Sequence, residues 1–566
     1  MKKNNFLIRI LNVGLLLLVI SGCQDYLNLK PQSEISDPTF WKTPNDFELA
    51  ANWFYANSLL GPEDGGTINS DNMSDIAINI QPDPVSSGTY VAPEDDAVWD
   101  DAYSSIRNAN KLIEEGENSS IRAQIQPYLG EGYFFRAYNY FHLLKSYGGV
   151  PLVKDVLVPG DKEVFNARAS IDETVGFIMD DLDSAIANLN MKSATETGRI
   201  CQEAATAFEA RVALFAGTWR EFHQGGDPDS LLNLAISASK SVIDSKTYSL
   251  YTARGSQSYR YLFIDATSIN NPESIIIKPF VVSINNDGGW QYGISWGPMN
   301  PTKTMADMYL CTDGLPIAKS QSFKGYDSCR TEFRNRDPRM AQSLIMPGIS
   351  IVRPQFLTAE PQWPGVGNNR NVNSGYMLYK FISEIPSPGV SAASNYDWNV
   401  MRYAEVLLIY AEATFERYGQ ISDADLAISI NALRDRVGMP HLTNGFVNAN
   451  GLDMRMEIRR ERTVELAFEG FRWDDLRRWG TAETELPKAL LSIKVTGTQW
   501  DAPEVTIDGN TTPGIFYKLP ANQLENGFKV LQPASQRTFD PAKDYLLPIP
   551  TQQISLNSSL VQNPGW

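Results

Sequence analysis

Apolar residues recur at helical spacing in two long stretches of the chain. In the first stretch one helix face carries an i, i+3, i+4, i+7 series, formed by Phe134, Ala137, Tyr138 and Phe141. The glycine pair at 148–149 and the proline shortly after it predict where that helix ends. Three further stripes of the same period follow within residues 175–189, 205–215 and 231–242. The pattern predicts a run of amphipathic helices in the first half of the protein.

The second stretch, residues 404–438, predicts two helices joined by a short turn. Its first stripe ends at Gly419, and Ser422 with Asp425 three positions later has the form of a capping box for the next helix. Helices joined by so short a turn pack as antiparallel neighbours, and the pair has roughly the 34-residue length of a tetratricopeptide unit. Stacked pairs of this kind bury one another's apolar faces. We therefore predict a mostly α fold, with a scaffold of tetratricopeptide-like helix pairs at about residues 40–250 and 400–480.

Residues 250–400 break the helical pattern. They are rich in Gly, Pro, Asn and Ser and contain only short β-like runs, such as residues 274–282. A long irregular insertion in a helical scaffold is a common place for function, so we expect this segment to form a loop-rich ligand-binding lobe. A second irregular segment spans residues 61–98, and residues 481–566 predict a tail of loops and short strands. We expect residues 23–566 to form a single body.

The first 22 residues have the features of a secretory signal. Positive residues at positions 2, 3 and 9 precede an apolar run at 11–20, and small residues lead directly into Cys23. This ending is similar to a bacterial lipobox, in which cleavage leaves Cys23 as an acylated N-terminus that holds the body on a membrane. The alternative is an ordinary secretory peptide that is cut nearby.

Composition excludes several kinds of function. The net charge is −17, and removal of three positive charges with the signal leaves about −20, which argues against nucleic-acid binding. Three histidines in 566 residues argue against histidine-based catalysis and a zinc site. We expect no cofactor, although an oxygen-ligand calcium site among the Asp and Asn side chains stays open. Cys311 and Cys329 either form a disulfide or remain buried free thiols, and we favour the thiols.

Residues 457–480 form an unusually charged block. Val464, Ala467, Phe468 and Phe471 supply an apolar stripe. Opposite charges stand three positions apart in the pairs Glu457 with Arg460 and Arg462 with Glu465, each worth a few tenths of a kcal/mol on a helix surface. The residues by themselves predict a salt-bridged helix that packs on a neighbour.

As a string, the same block resembles the SusD/RagB family of outer-membrane nutrient-binding lipoproteins. Other segments add to the resemblance: residues 402–413 and 431–438, the Arg-Asn-Arg-Asp-Pro-Arg run at 334–339, the Asn-Pro-Gly-Trp ending at 563–566, and Trp99 with Tyr103, Ile106 and Asn110. The match covers essentially the whole mature chain. It implies an all-α core of tetratricopeptide-like helix pairs that carries an irregular ligand-binding lobe.

The resemblance also implies location, partner and ligand. It implies a lipid-anchored protein on the outer face of the outer membrane, which sits as a lid over a SusC-like TonB-dependent β-barrel transporter. Ligands in the family are usually glycans, which are bound and not cleaved. Some relatives handle peptides, so a peptide-binding, RagB-like role in nutrient uptake is the alternative.

The candidate ligand site lies in the two irregular segments. Aromatic rings meet the apolar C–H faces of sugars at low entropy cost, and Asn, Asp and Arg side chains meet the rim of hydroxyls. We predict an aromatic platform formed by Trp290, Tyr292 and Trp296. We predict an opposing rim formed by Asn72, Asp75 and Tyr90. The alternative for each aromatic residue is ordinary packing within the lobe.

A catalytic alternative rests on residues 293–297, which match the G-x-S-x-G nucleophile pattern with Ser295 at its centre. That pattern needs a strand before it, a helix after it and a downstream histidine. Prolines at 298 and 301 favour a loop instead, and His441, the one downstream histidine, follows a predicted helix in a turn. A glycosidase would need two carboxylates across a cleft, and no pair among the 66 acidic residues stands out. We expect a binding protein and not an enzyme.

Overall fold

The computed structural model describes residues 40–62, 69–223, 225–264, 270–280, 299–352, 359–361, 374–382 and 396–566. About half of the described chain is helical, and its strands are few and short. This confirms the predicted fold class.

Long helices dominate the N-terminal half. They are α1 (Pro44–Asn57), α2 (Ala97–Glu117), α3 (Arg122–Tyr147), α4 (Ile171–Asn188), α5 (Gln202–His223) and α6 (Asp229–Ser245). Shorter helices follow in the lobe, α7 (Ser258–Tyr261), α8 (Lys303–Met308) and α9 (Pro338–Ser343). The remaining helices are α10 (Tyr403–Tyr418), α11 (Asp423–Ile428), α12 (Ile430–Val437), α13 (Asn444–Ala449), α14 (Met454–Glu465), α15 (Arg472–Arg478), α16 (Ala482–Glu485) and α17 (Thr551–Leu556).

Local signals in the sequence explain several of these boundaries. Helix α3 ends where Gly148 adopts a φ of 76°, and α10 ends where Gly419 adopts a φ of 65°, conformations that glycine reaches at little cost. The Ser170 hydroxyl accepts a hydrogen bond from the Glu173 N–H at the start of α4, as in a capping box. The Ser422 hydroxyl likewise accepts from the Asp425 N–H, as predicted for α11.

The helices pack in sequence order, each antiparallel hairpin against the next. Helices α2 with α3, α3 with α4, and α5 with α6 share the most extensive contacts, and α10 packs on α6 and α14. One apolar cluster runs through this scaffold from Phe47 in α1 to Ile409 in α10. Pairwise stacking of amphipathic helices therefore builds the scaffold, as their stripes predict.

The strands form small antiparallel pairs. β1 (Ala77–Ile78) pairs with β3 (Asn300–Pro301), β2 (Ser274–Lys278) with β6 (Trp398–Arg402), β4 (Ser350–Val352) with β5 (Ala359–Pro361), and β8 (Glu504–Ile507) with β9 (Asn510–Pro513). A three-stranded sheet has the order β10 (Leu524–Glu525), β11 (Phe528–Gln532), β7 (Leu490–Lys494). The lobe and the tail share one apolar cluster, in which Tyr376 and Met340 from the lobe join Trp500 and Phe516 from the tail.

Two predicted helices are broken in the structure. The helix expected after Ser422 divides at Ser429, whose φ and ψ of −125° and −94° are not helical and whose hydroxyl donates to the Asp425 carbonyl. The charged block forms two helices, because the chain turns between Glu465 and Arg472 with Phe468 at a φ of 64° and Gly470 at 82°. A single continuous stripe through Phe471 was therefore the wrong prediction.

The charges of the block are also paired differently. Glu457 and Arg460 form the expected pair, with an N–O distance of 3.3 Å. Arg462 pairs instead with Asp475 across the turn at 2.9 Å, so its predicted partner Glu465 was wrong. Both side chains of the Arg462–Asp475 pair are buried, which the surface pattern of a single helix did not indicate.

Cys201, Cys311 and Cys329 are free and buried in the structure, which agrees with the thiol alternative. Burial raises the pKa of the Cys329 thiol to about 12, so this thiol stays protonated and unreactive at neutral pH. Within the described part of the chain, no helix combines the length and the apolar character needed to cross a bilayer.

Candidate functional site

The predicted aromatic platform lies outside the described residues, but the residues on either side of it are described. Trp290, Tyr292 and Trp296, like Ser295, fall in residues 281–298, outside the described residues. On the N-terminal side, Lys278 of β2 pairs with Trp398 of β6, and the Phe280 N–H donates to Asp397 Oδ1 at 2.9 Å. The last described residues before position 281 are thus held against β6.

On the C-terminal side, the first described residues are held against the predicted rim segment. In the β1–β3 pair, Ala77 lies opposite Pro301 and Ile78 opposite Asn300. Just beyond, the Thr302 hydroxyl donates to the Asp75 carbonyl at 2.6 Å. The described residues that follow positions 281–298 in the sequence therefore pack on the rim segment, and contact of Trp290, Tyr292 and Trp296 with a ligand stays a prediction.

The rim segment itself is a short 3-10 turn, Asn69–Met73, followed by β1. Asp75 is buried, and its two oxygens accept from Arg472 Nε and Nη2, each at 2.8 Å. Burial raises the pKa of Asp75, but the Arg472 guanidinium outweighs it and brings the pKa below its ordinary value. This ion pair fastens the rim to α15, while the role of Asp75 in ligand binding stays a prediction.

Asn72 is also buried, and its neighbour Asp71 gives the segment a second attachment. The Asp71 carboxylate accepts from the backbone N–H groups of Gly470 and Arg472 at 3.0 and 3.1 Å. Burial raises the pKa of Asp71 to about 7, although these two N–H groups lower it. The sequence analysis missed this attachment, since nothing in the pattern pairs residue 71 with residue 470.

Tyr90 is half-buried and lies near the C-terminus of the chain. Its ring meets Trp566 edge to face, with centroids 5.9 Å apart, and Lys543 Nζ lies 3.7 Å from the Trp566 ring centroid. Tyr90 also packs on an apolar cluster that includes Met73 of the rim and Trp473 of α15. Ligand contact by Tyr90, Asn72 or Asp75 stays a prediction.

A cavity of about 150 Å³ lies behind the rim, between the scaffold and the lobe. Ser70 and Met73 bring the rim segment to its wall, and Trp398 and Val400 bring β6. The rest of the wall comes mainly from α3, α5 and the chain from Glu469 to Arg478, with the aromatic side chains Tyr138, Phe141, His142, Phe215, Phe471 and Trp473. The sequence analysis missed this cavity, because its wall joins residues that are more than 300 positions apart.

Charged groups in the cavity wall are arranged in close pairs. Lys145 Nζ lies 2.7 Å from Asp474, and an Arg211 nitrogen lies 2.5 Å from Glu405. Burial raises the pKa of Asp474, but Lys145 and Arg477 outweigh it and lower the pKa to about 2. Burial, with a contribution from Lys145, holds the pKa of His142 well below its ordinary value, so this imidazole is neutral at pH 7.

Over the described residues, no group of three or more His, Cys, Asp or Glu side chains is arranged to hold a metal ion. His441, the histidine considered for catalysis, is exposed and lies 2.7 Å from Asp435 Oδ1 on α12.

Sequence comparisons connect this architecture with known proteins. Residues 265–566 match the model of the SusD family, and residues 25–214 match a second family model, described as starch-binding and associating with the outer membrane. A SusD-like protein of Formosa agariphila, P38, is 27% identical over 508 residues, covering 82% of this chain and 89% of that protein. A second SusD-like protein of the same organism, P2, is 25% identical to this chain, and the alignment covers 97% of this chain and 98% of that protein.

Solved structures show the same fold. A SusD-like protein from Bacteroides fragilis superposes with a TM-score of 0.74 at 25% identity, covering 95% of this chain and 100% of that chain. A SusD-like carbohydrate-binding protein from the same organism gives a TM-score of 0.75 at 24% identity, with 92% and 100% coverage. The family match at residues 265–566 alone spans 302 of the 566 residues, more than half. The chain belongs to the SusD family.

Proposed function

We propose that this protein is a cell-surface lipoprotein that captures an oligosaccharide or polysaccharide and delivers it, uncleaved, to a SusC-like TonB-dependent transporter. The observation that carries the proposal is the SusD family match over residues 265–566. The described residues on either side of positions 281–298 pair with β6 and with the rim segment, which supports a site in this region. We expect Trp290, Tyr292 and Trp296, which lie between these two strand pairs in the sequence, to contact the sugar rings.

The chemistry of the neighbouring carboxylates supports binding without cleavage. A glycoside hydrolase needs a carboxylic acid that can give up a proton and a second carboxylate across the cleft. In the cavity wall, Asp474, Asp475 and Glu405 are each held by a cationic side chain. Asp71 has a raised pKa, but backbone N–H groups occupy both its oxygens.

Delivery of the ligand requires the lipid anchor at Cys23 and the SusC-like transporter. An acylated Cys23 would hold the body at the outer face of the outer membrane, beside the transporter. A ligand bound at the proposed site would then be released into the barrel while the protein stays attached.

The proposal is tested by a Trp290→Ala, Trp296→Ala double variant. We expect it to bind the glycan at least about tenfold more weakly, since buried aromatic contacts dominate such interfaces, and to slow uptake by the cells. Tyr517→Ala is the matched control, because Tyr517 is an exposed aromatic residue of the tail that belongs to neither irregular segment of the predicted site. Binding is measured by calorimetry on purified protein and uptake with labelled glycan.

Deleting the transporter gene separates capture from delivery in the same strain. Uptake should stop while the purified protein still binds. Unchanged binding in the double variant would overturn the assigned site, and uptake that persists without the transporter would overturn delivery.

A further inference from the structure

The most exposed apolar side chains of the described chain come from segments that meet at one part of the surface. Val91, Leu556 and Val561 are 74%, 66% and 72% exposed, more than any other large apolar side chain in the described residues. Val164 and Phe165, in a short 3-10 turn, are also exposed. Exposed apolar residues need no explanation when they are scattered singly, but a cluster of them marks a surface that binds another molecule.

Hydrogen bonds join the segment after this turn to the end of the chain. The Asn557 amide, one residue after Leu556, donates to the Asn166 carbonyl at 2.9 Å. Arg168 Nη1 donates to the Val561 carbonyl at 3.0 Å. The residues that carry Val164 and Phe165 therefore lie side by side with those that carry Leu556 and Val561.

The other end of α17 is joined to the segment that carries Val91. The Thr551 N–H donates to the Pro93 carbonyl at 2.9 Å, and the Gln552 N–H donates to the Glu94 carbonyl at 3.1 Å. Helix α17 has six residues and is about 9 Å long, so it bridges the two ends. We call this surface, formed by residues 91–94, 164–168 and 551–561, the apolar face.

Carboxylates border the apolar face on one side. Five of them fall within eight residues at the start of α2: Glu94, Asp95, Asp96, Asp100 and Asp101. Burial raises the pKa of Asp100, and so does repulsion by Asp95, Asp101 and Asp96. The border of the face is therefore a concentrated negative charge.

This charge decides which kind of molecule covers the face. Residues 91–101, 161–168 and 551–561 carry seven carboxylates and two cationic side chains, a net charge of −5. A symmetric contact with a second copy would bring like charges together, and an anionic lipid surface would be repelled. A protein surface with an apolar centre bordered by lysine and arginine complements the face in both polarity and charge.

We propose that the apolar face is the docking surface for the SusC-like transporter, whose contacting loops present an apolar or aromatic centre bordered by lysine and arginine. The inference rests on the proposed function and adds the surface through which the two proteins meet. Tyr90, one of the predicted rim residues, directly precedes Val91, so the face begins where the rim ends. A ligand held at the rim then lies next to the transporter.

The apolar contribution is tested with the triple variant Phe165→Ser, Leu556→Ser, Val561→Ser. Tagged, lipidated protein is purified from detergent-solubilised outer membranes, and the transporter that accompanies it is quantified by mass spectrometry. We expect at least about tenfold less transporter than with wild type, since apolar anchors dominate such interfaces, and slower glycan uptake. Glycan binding by the purified variant should be unchanged, which also shows that it folds. Met191→Ser with Met456→Ser is the matched control, because both methionines are exposed and lie outside the face.

The charge contribution is tested with Asp95→Lys, Asp101→Lys, which reverses two exposed charges of the border. We expect this variant to recover at least about fivefold less transporter at low ionic strength. The difference from wild type should narrow at about 1 M salt, where the Debye length falls to about 3 Å. Glu196→Lys with Glu504→Lys is the matched control, since both glutamates are exposed and lie outside the face.

Wild-type recovery of the transporter by the triple variant, or by the charge-reversal variant at low salt, would overturn the docking surface and leave delivery standing. Dimers of the mature protein, or its binding to phosphatidylcholine vesicles, would also overturn it if the triple variant abolished them while still recovering the transporter. If wild type recovers no transporter and uptake persists in cells that lack the transporter gene, both the docking surface and the proposed delivery fail.

Discussion

Glu465 is fully buried in α14 and accepts hydrogen bonds from three arginines. Its oxygens lie 2.7 Å from Arg402 Nη1, 2.6 Å from Arg436 Nη2 and 3.0 Å from Arg339 Nη1. These arginines come from β6, α12 and α9, so one carboxylate joins the lobe to the scaffold. Arg402 also pairs with Glu273, the residue directly before β2, at 2.8 Å.

Replacing Glu465 by Gln should destabilise the protein strongly. The neutral amide of Gln cannot balance the positive charges of the arginines. Breaking a buried ion pair by removing one partner costs about 3–5 kcal/mol. Asp244→Asn is the control, since Asp244 pairs with Lys240 on an exposed helix face, where such pairs contribute a few tenths of a kcal/mol. Denaturant unfolding followed by circular dichroism measures both. Equal unfolding midpoints for the two variants would contradict the assigned role of Glu465.

The difference in unfolding free energy between wild type and Glu465→Gln depends on pH in a definite direction. Burial acts to raise the pKa of Glu465, but Arg436, Arg402 and Arg339 outweigh it and hold the pKa well below its ordinary value. The stabilisation is therefore complete above the unfolded-state pKa of about 4.3 and is lost as the pH falls through the lowered folded-state pKa. The gap between wild type and Glu465→Gln should persist at pH 5–8 and shrink in stronger acid.

Single residues also show what the sequence could and could not predict. The helix ends at Gly148 and Gly419 and the cap at Ser422 were predictable, because each depends on neighbours within a few positions. The partners of Arg462 and Glu465 were not, since they depend on the turn at Phe468 and Gly470. Periodicity alone gives no sign that this turn interrupts the charged block.

At the scale of elements, the rim segment depends on α15. Asp71 accepts from the backbone at the start of α15, and Asp75 holds Arg472 through two hydrogen bonds. The β1–β3 pair joins Asn300 and Pro301 to the same segment. One buried ion pair therefore supports both the rim segment and its pairing with β3.

Replacing Asp75 by Asn should loosen this segment while the scaffold stays folded. The variant leaves Arg472 buried without its charge partner, so local opening becomes easier and amide hydrogen exchange at residues 69–78 should accelerate at least about tenfold. The control is Asp508→Asn, which removes the partner of Arg330 from an exposed two-bond pair. Exchange is measured by mass spectrometry on peptic fragments. Unaltered exchange at 69–78 would show that the pair does not hold the rim.

The elements of the candidate site were only partly predictable. Composition indicated that residues 61–98 and 250–400 are irregular, and the structure brings them together through β1 and β3. The burial of Asn72 and Asp75 was not predictable, because it requires α15 to lie against them. The cavity was not predictable either, since α3, α5, β6 and α15 contribute to its wall.

At the scale of the whole molecule, fold and family agree. The helical stripes predicted a scaffold of stacked pairs, and the family match and the solved relatives show the same fold. Particular charged strings, such as residues 457–480, carried the resemblance, although the same residues misled the prediction of a single helix. Ligand identity depends on loop geometry, which periodicity and composition do not encode.

The central claim is capture of a glycan without cleavage, and one measurement tests it directly. The lipid-free mature chain, residues 24–566, is titrated calorimetrically with a panel of neutral and acidic polysaccharides and with a peptide digest, and the mixtures are then chromatographed. The account predicts saturable binding to one class of glycan with no smaller sugars released. Heat from the peptides alone, or release of short sugars from any glycan, would contradict it.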